Sequence, residues 1–243
     1  AVDIPIDIPD KNKVKPLGNQ SIAGAPVQSG GVIDEAAPQP LATASRGQAG
    51  LLVLAQPILF PKRPPMISRF DLDAALPHIM AAPKTDAAIA TLCLRPAFGE
   101  RSFPDRITMT RAEGIPGERW ATLPWSRLAD GTPDPRIQVS LLPTRVMNLV
   151  WQDRSVPHPG DPIVADLDMS EANLPVGTLI KAGTAVLRVS DLPNDGCVKW
   201  KVRYGADAMA FITADPRLRL RGVLCSVEQD GEVTLSDRLQ VLR

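Results

Sequence analysis

The sequence predicts a mainly β fold, a barrel or sandwich carrying a few short helices behind a long irregular N-terminal arm. Composition points that way: 25 prolines among 243 residues is about double the usual share, and aromatics are sparse at 4%. Turns and strands are therefore favoured over long helices. From about residue 66 onward, short runs of strand character alternate with turn signals, the pattern of an all-β barrel or sandwich. Before that point neither the helical nor the strand period is sustained.

Residues 1–65 are rich in Pro, Gly, Ala, Ser and Gln, with too little apolar surface to offset the entropy of ordering an independent core. Within them "VDIPIDIPD" suits a sheet edge, where its prolines are tolerated, and "LLVLAQPILF" is apolar enough to dock. The arm is expected to contact one or more protein partners through these segments. Residues 66–243 are expected to form the globular domain. Its first element is a helix in "SRFDLDAALPHIMAAP", with Asp71 as cap, Leu72, Ala75, Leu76 and Ile79 at helical spacing, and Pro77 as an interruption. Strand-like runs follow: "AIATLCLRP", "DRITMTRAEGI", "RIQVSLLP", "TLIKAGTAVLRVSDLP", "RLRLRGVLCSVEQDGEVTL" and "DRLQVLR". Between them "SLLPTRVMNLVWQDR" reads as a short amphipathic helix. The pair "VLCSVEQ-DG-EVTL" reads as a hairpin on a type I′ turn.

Several function classes drop out on composition. Formal net charge is zero, so no global field recruits nucleic acid or an anionic membrane. No apolar run is long and unbroken enough to serve as a transmembrane segment. Cys93, Cys197 and Cys225 form no C-x-x-C pair, which argues against a zinc ribbon or a thioredoxin-type site. Only His78 and His158 supply imidazole, so a histidine-rich metal site is excluded and a Ser-His-Asp triad is poorly supported. A chain opening on Ala1 is expected to have been processed or trimmed; no compartment is read from the sequence.

Chemistry concentrates at "LPNDGCVKW", where Cys197 follows an Asn-Asp-Gly turn. If "CVKWKVR" is extended, Lys199, Lys201 and Arg203 share the cysteine's face and favour a thiolate. The alternative is a solvated charged face beside an inert turn thiol. Cys93 and Cys225 sit in apolar runs and read as small buried hydrophobes. In "RLRLRG" a strand would line up Arg217, Arg219 and Arg221, either to hold a phosphate or to guard a sheet edge. "DLDMSEANLP" lacks the spacing and glycine of a calcium loop; Ser170 and Asn173 read as turn and cap formers. "PGERW" places Arg119 either in a pocket or on a surface turn.

The stretch "GDPIVADLDMSEANLPVGTLIKAGTAVLRVSDLPNDGCVKWKVRYGADAMAFI", followed by "LRLRGVLCSVEQDGEVTLSDRLQVL", resembles the MOSC domain family, named for the C-terminal part of molybdenum cofactor sulfurases. "LRPAFGERSFPDRITMTRAEGIPGERW" resembles its opening strands, so the resemblance spans roughly residues 85–243. It implies a closed, mostly antiparallel β-barrel with a pocket. It also implies binding of the molybdenum cofactor or a molybdenum ion, or of pyridoxal phosphate, in a molybdenum-dependent oxidoreductase or a sulfur carrier or transferase. The family's cysteine falls on Cys197, as a persulfide carrier or molybdenum ligand at a pocket mouth. Arg119, Lys199, Arg203 and Arg221 then position an anionic group. The chain departs from the family where Asn194 replaces a histidine and where Gly117-Glu118-Arg119 replaces Gly-Asp-Arg. These departures, with the arm, support a second reading: an inactive accessory subunit tethered by residues 1–65 in a larger complex.

Overall fold

The strands that the sequence spaces at short intervals close on one another. The computed structural model describes residues 66–243; the contacts expected of the arm, 1–65, lie outside the described residues. The strands are β1 (Asp86–Leu92), β2 (Arg106–Met109), β3 (Val139–Pro143), β4 (Ile163–Ala165), β5 (Leu179–Ala182), β6 (Ala185–Val189), β7 (Val223–Gln229), β8 (Gly231–Thr234) and β9 (Arg238–Leu242). Seven of them close a barrel in the order β1-β4-β3-β7-β6-β5-β9, and β9 returns to β1 with Asp86 opposite Gln240. Strands β3 and β4 run parallel while the other barrel pairs are antiparallel, so the barrel is closed and mostly antiparallel, as the resemblance implies, with one parallel pair. The reason is the connection: helix α2 (Thr144–Val150) lies in the crossover between them, as parallel neighbours require.

Alternation decides which side chains face inward. Ile180 and Ala182 of β5, and Ala185, Leu187 and Val189 of β6, are buried inside while their neighbours turn out. Strands β3 and β4 are instead covered on both sides. Helices α1 (Arg69–Met80), α2, α3 (Val198–Tyr204) and α4 (Ala206–Thr213) pack outside that wall. Leu72, Val146, Trp200, Tyr204 and Phe211 form a second apolar cluster with Leu142 and Val164 of the wall itself.

Several local expectations are corrected. Ser68, not Asp71, caps α1: its Oγ accepts the Asp71 N–H at 3.2 Å and its hydroxyl donates to the Asp71 carboxylate at 2.6 Å. Pro77 lies inside α1 without ending it; Asp73, whose carbonyl loses its partner, is exposed to water. In "SLLPTRVMNLVWQDR" the first residues belong to β3 and only Thr144–Val150 is helical. The Asp-Gly pair makes a corner rather than a hairpin. Strand β7 already has β3 and β6 on its two edges, so β8 has no edge to fold back on and pairs with β2 instead. Asp230 holds the corner by accepting the Arg111 N–H at 2.9 Å and its Nε–H at 3.0 Å.

Gly222 marks the tightest backbone approach in the barrel wall. Its φ is +90°, and a Cβ there would overlap the Leu141 carbonyl oxygen of β3. Gly222→Ala is therefore expected to cost about 2 kcal/mol or more, read as a lowered urea midpoint. A variant within about 0.5 kcal/mol of the parent would show that β3 and β7 yield at this point.

Candidate basic site around the Pro157–Asp161 strap

The segment leading into β4, "PHPGD", gathers side chains from distant parts of the chain. Tyr204 Oη donates to the Pro157 carbonyl at 2.9 Å. Arg101 Nε and Arg203 Nη1 both donate to the His158 carbonyl, at 3.2 and 3.4 Å, and Arg101 Nη2 reaches the Pro159 carbonyl at 3.4 Å. Gly160, at φ +94°, runs so close to the Arg95 and Arg101 side chains that a Cβ would meet them at 2.5 and 2.8 Å. Asp161 closes the strap: it is buried and accepts Arg221 Nη1 at 2.8 Å.

His158 is not one of the cations. The Gly160 N–H donates to its Nδ1 at 3.0 Å, which assigns the ring proton to Nε2. The ring is buried between the edges of Phe103 and Trp151, with centroids at 5.4 and 5.0 Å. Burial pushes its pKa down to about 4, so it is neutral at pH 7.

Cys197 is exposed and precedes α3 without a side-chain capping bond. The extended reading of "CVKWKVR" is corrected: Val198–Tyr204 is helical because Trp200 and Tyr204, four residues apart, both enter the apolar cluster, their rings edge to face at 4.8 Å. The helical period then separates the cations. Lys199 and Arg203 share one flank, and Lys201 moves to the other. Arg203 reaches the strap. Lys199 Nζ lies 4.8 Å from the Phe98 ring centroid, and Arg119 Cζ lies 6.0 Å from the same ring. Across Phe98, Arg119 and Lys199 thus meet.

The "RLRLRG" strand is likewise corrected. Asp215 caps a 3-10 turn at Pro216–Leu218, and Arg219 adopts φ 47° and ψ 44°. The three arginines part company: Arg217 pairs with Asp215, Arg219 donates to the Leu174 carbonyl, and Arg221 pairs with Asp161. Arg221 remains tied to the basic group, its guanidinium 4.7 Å from the Trp200 ring centroid.

Glu118, the departure from Gly-Asp-Arg, has a positioning task. Its buried carboxylate accepts the Arg95 N–H at 2.5 Å, Arg95 Nε and Nη2 at 3.2 Å each, and the Arg119 N–H at 3.1 Å. It fastens the loop bearing Phe98 to the turn bearing Arg119. Asn194 donates from Nδ2 to the Arg221 carbonyl at 3.1 Å. A cavity of about 200 Å³ is bordered by Asn194, Asp195, Arg219 and Arg221 among others; Cys197 does not border it.

Charge around the strap is unbalanced. Most arginines of the described residues hold a carboxylate, from Arg69 with Asp73 to Arg238 with Asp86. Among the described residues none is in salt-bridge range of Arg101, Arg119, Lys199 or Arg203. Burial and the facing Arg203 guanidinium hold the Arg101 pKa below the usual arginine value. Of the buried side-chain nitrogens and oxygens left without a partner among the described residues, all but Thr144 Oγ1 belong to this cluster. They are Arg119 Nε, His158 Nε2, Asp161 Oδ2 and Trp200 Nε1. Buried polar atoms are almost always satisfied, and four of the five that are not, among the described residues, fall in this one part of the fold. Among the described residues, no three His, Cys, Asp or Glu side chains converge as metal ligands, and no helix is long and apolar enough to cross a membrane. Asn173 bonds the Lys84 and Asp168 carbonyls, as a turn former does.

The sequence reading named Arg119, Lys199, Arg203 and Arg221 but missed Arg95, Arg101, His158 and Asp161. The available signal was "HPGD", a polar turn framed by proline and glycine directly before an apolar strand.

No protein-family model matches the chain, and no curated protein matches it. Among solved structures the chain is similar to the YuaD protein from Bacillus subtilis, with 20% identity, a TM-score of 0.49, and coverage of 66% of this chain and 97% of that one. It is also similar to YiiM from Escherichia coli, with 16% identity, a TM-score of 0.44, and coverage of 64% and 69%. YiiM from Geobacillus stearothermophilus gives 14% identity, a TM-score of 0.39, and coverage of 66% and 74%. At these scores the likeness assigns no activity and no residue role.

Two outcomes are expected from this geometry. Burial pushes the Cys93 and Cys225 thiols up to about 11 and about 12, whereas Cys197 is exposed. Alkylation of the folded protein at pH 7.5 (about one unit below a free thiol) should label Cys197 first by peptide mapping; earlier labelling of Cys93 or Cys225 would contradict the packing. His158 titrates lower in the folded than in the unfolded chain, so its stabilising share is complete above its unfolded value of 6.5 and is lost as pH falls toward about 4. Urea midpoints across that range should fall more steeply for the parent than for His158→Gln; parallel profiles would mean His158 is not held neutral.

Proposed function

We propose that the chain is a MOSC-type β-barrel that binds an anionic group at the Pro157–Asp161 strap and uses Cys197 either to ligate molybdenum or to carry sulfur as a persulfide. The observation that carries this reading is the set of cations around the strap that lack carboxylates, together with the unpartnered buried polar atoms among them. A phosphate-bearing cofactor suits this donor set. Its oxygens accept from several N–H groups at once, and planar guanidiniums match a tetrahedral oxyanion.

In this reading Arg119, Lys199, Arg203 and Arg101 hold the phosphate of the molybdenum cofactor, and Arg221 acts through Asp161 and Trp200 to position α3. When bound, the cofactor supplies molybdenum for oxygen-atom and electron transfer. Neutral His158 can donate from Nε2 but carries no charge to the site. Cys197 stays open to solvent, as a group that exchanges sulfur or meets a ligand from outside must. Residues 66–243 then act as the functional domain. Nothing among the described residues favours the accessory-subunit reading.

The test uses the full chain. Arg101→Ala combined with Arg203→Ala should weaken binding of inorganic phosphate at least about tenfold (about 1.4 kcal/mol) by calorimetry, with folding intact by circular dichroism. Elemental analysis of the purified protein should find molybdenum or persulfide sulfur, and Cys197→Ser should remove it. Unchanged phosphate affinity in the double variant overturns the reading.

A further inference from the structure

The solvent face of α3 is apolar for no reason that the fold supplies. Val198 and Val202, four residues apart, are 76% and 69% exposed. Phe98, linked to α3 through Lys199, is 78% exposed. Scattered apolar residues on a surface are ordinary. An aligned pair on a short helix is less so, because β-branched side chains are poor helix formers and any Ala, Lys or Glu would suit an exposed helical position better. Neither barrel nor strap uses these side chains. They are flanked by Lys199, Lys201 and Arg119, with no carboxylate in salt-bridge range among the described residues.

We infer that this face docks the acidic surface of a protein partner. An apolar centre on that partner covers Val198, Val202 and Phe98, while its carboxylates meet Lys199, Lys201 and Arg119. Charge complementarity selects the occupant: the chain's net charge is zero, yet the three cations beside these side chains stand unpaired by any carboxylate in salt-bridge range among the described residues, although Glu100 and Asp195 lie nearby in sequence. Two valines on a seven-residue helix offer far less than the long Trp-, Phe- and Leu-bearing face that enters a bilayer. A partner seated here would lie over the exposed Cys197 at the start of the same helix. The docking face goes beyond the anion reading but shares Arg119 and Lys199 with it, so partner carboxylates and a phosphate compete for these two cations, whereas Val198 and Val202 serve the docking face alone.

The experiment offers the full chain three probes at about 0.15 M salt: a synthetic peptide alternating Glu with Leu and Phe, polyglutamate of equal charge, and vesicles of phosphatidylcholine with phosphatidylserine. The amphipathic peptide should bind at least about tenfold more tightly than polyglutamate. Val198→Ser with Val202→Ser should abolish that preference while leaving phosphate affinity unchanged, and Phe98→Ser should do the same to the peptide by an independent route. Equal affinity for the two peptides, or a preference that survives these substitutions, overturns the inference. Vesicle binding lost in the valine variant without any peptide preference assigns the face to a membrane and also overturns it. Loss of phosphate binding in the arginine variant with the peptide preference intact would bear on the anion site alone.

Discussion

The buried ion pair between Arg221 and Asp161 is the interaction on which the rest of the site depends. Its side chains are 15% and 2% exposed, and they come from opposite ends of the domain's second half. Desolvation alone would raise the Asp161 pKa. The Arg221 guanidinium, the Ser140 hydroxyl and the Arg95 charge together outweigh it and hold the carboxyl below its usual range, so the pair is ionised. Removing one partner of such a pair typically costs about 3–5 kcal/mol, because the other is left buried and uncompensated. The pair also fixes relative position. Asp161 ends the strap, Arg221 stacks on Trp200 of α3, and α3 returns Arg203 to the strap.

Around this neutralised centre the chain leaves positive charge uncompensated. Arg95 shows how readily compensation could have been made, since Glu118 satisfies it with both oxygens. Arg101 and Arg203, a short distance away, share one carbonyl oxygen and face each other. In the reading proposed above, a bound anion would relieve the repulsion between these cations. Absence of a carboxylate does not by itself mark a ligand-facing arginine, since Arg127 and Arg219 also lack one among the described residues and donate to backbone carbonyls instead.

Glu118 shows why a family pattern alone could not settle its role. As a substitution in Gly-Glu-Arg it suggested lost chemistry. Among the described residues its carboxylate hydrogen-bonds to Arg95 and to the Arg119 backbone. Asn194 likewise spends its amide donor on the Arg221 carbonyl. Both residues act on the placement of cations.

The sequence by itself determined short strands with one buried face, while closure into a barrel rather than a sandwich was decided by the tertiary structure. Period-two alternation in runs such as "TLIKAGTAVLRV" admits only one buried face, and those runs became β5 and β6 with that face inward. It also pointed to Cys93 and Cys225 as buried thiols, because an apolar run turns its cysteine inward, and both are buried. What the sequence could not decide were segments compatible with two periods. In "CVKWKVRY", Val198, Trp200, Val202 and Tyr204 alternate as a strand would, yet Trp200 and Tyr204 are also spaced as a helix needs. Only the apolar cluster of the outer wall, waiting for two rings on one side, chose the helix and so parted Lys201 from Lys199 and Arg203. The cluster itself was equally hidden. Arg101, His158 and Arg203 stand 45 or more positions apart along the chain, and no local pattern records that three such residues will meet at one carbonyl; closure of the barrel and the packing of α3 against it bring them there.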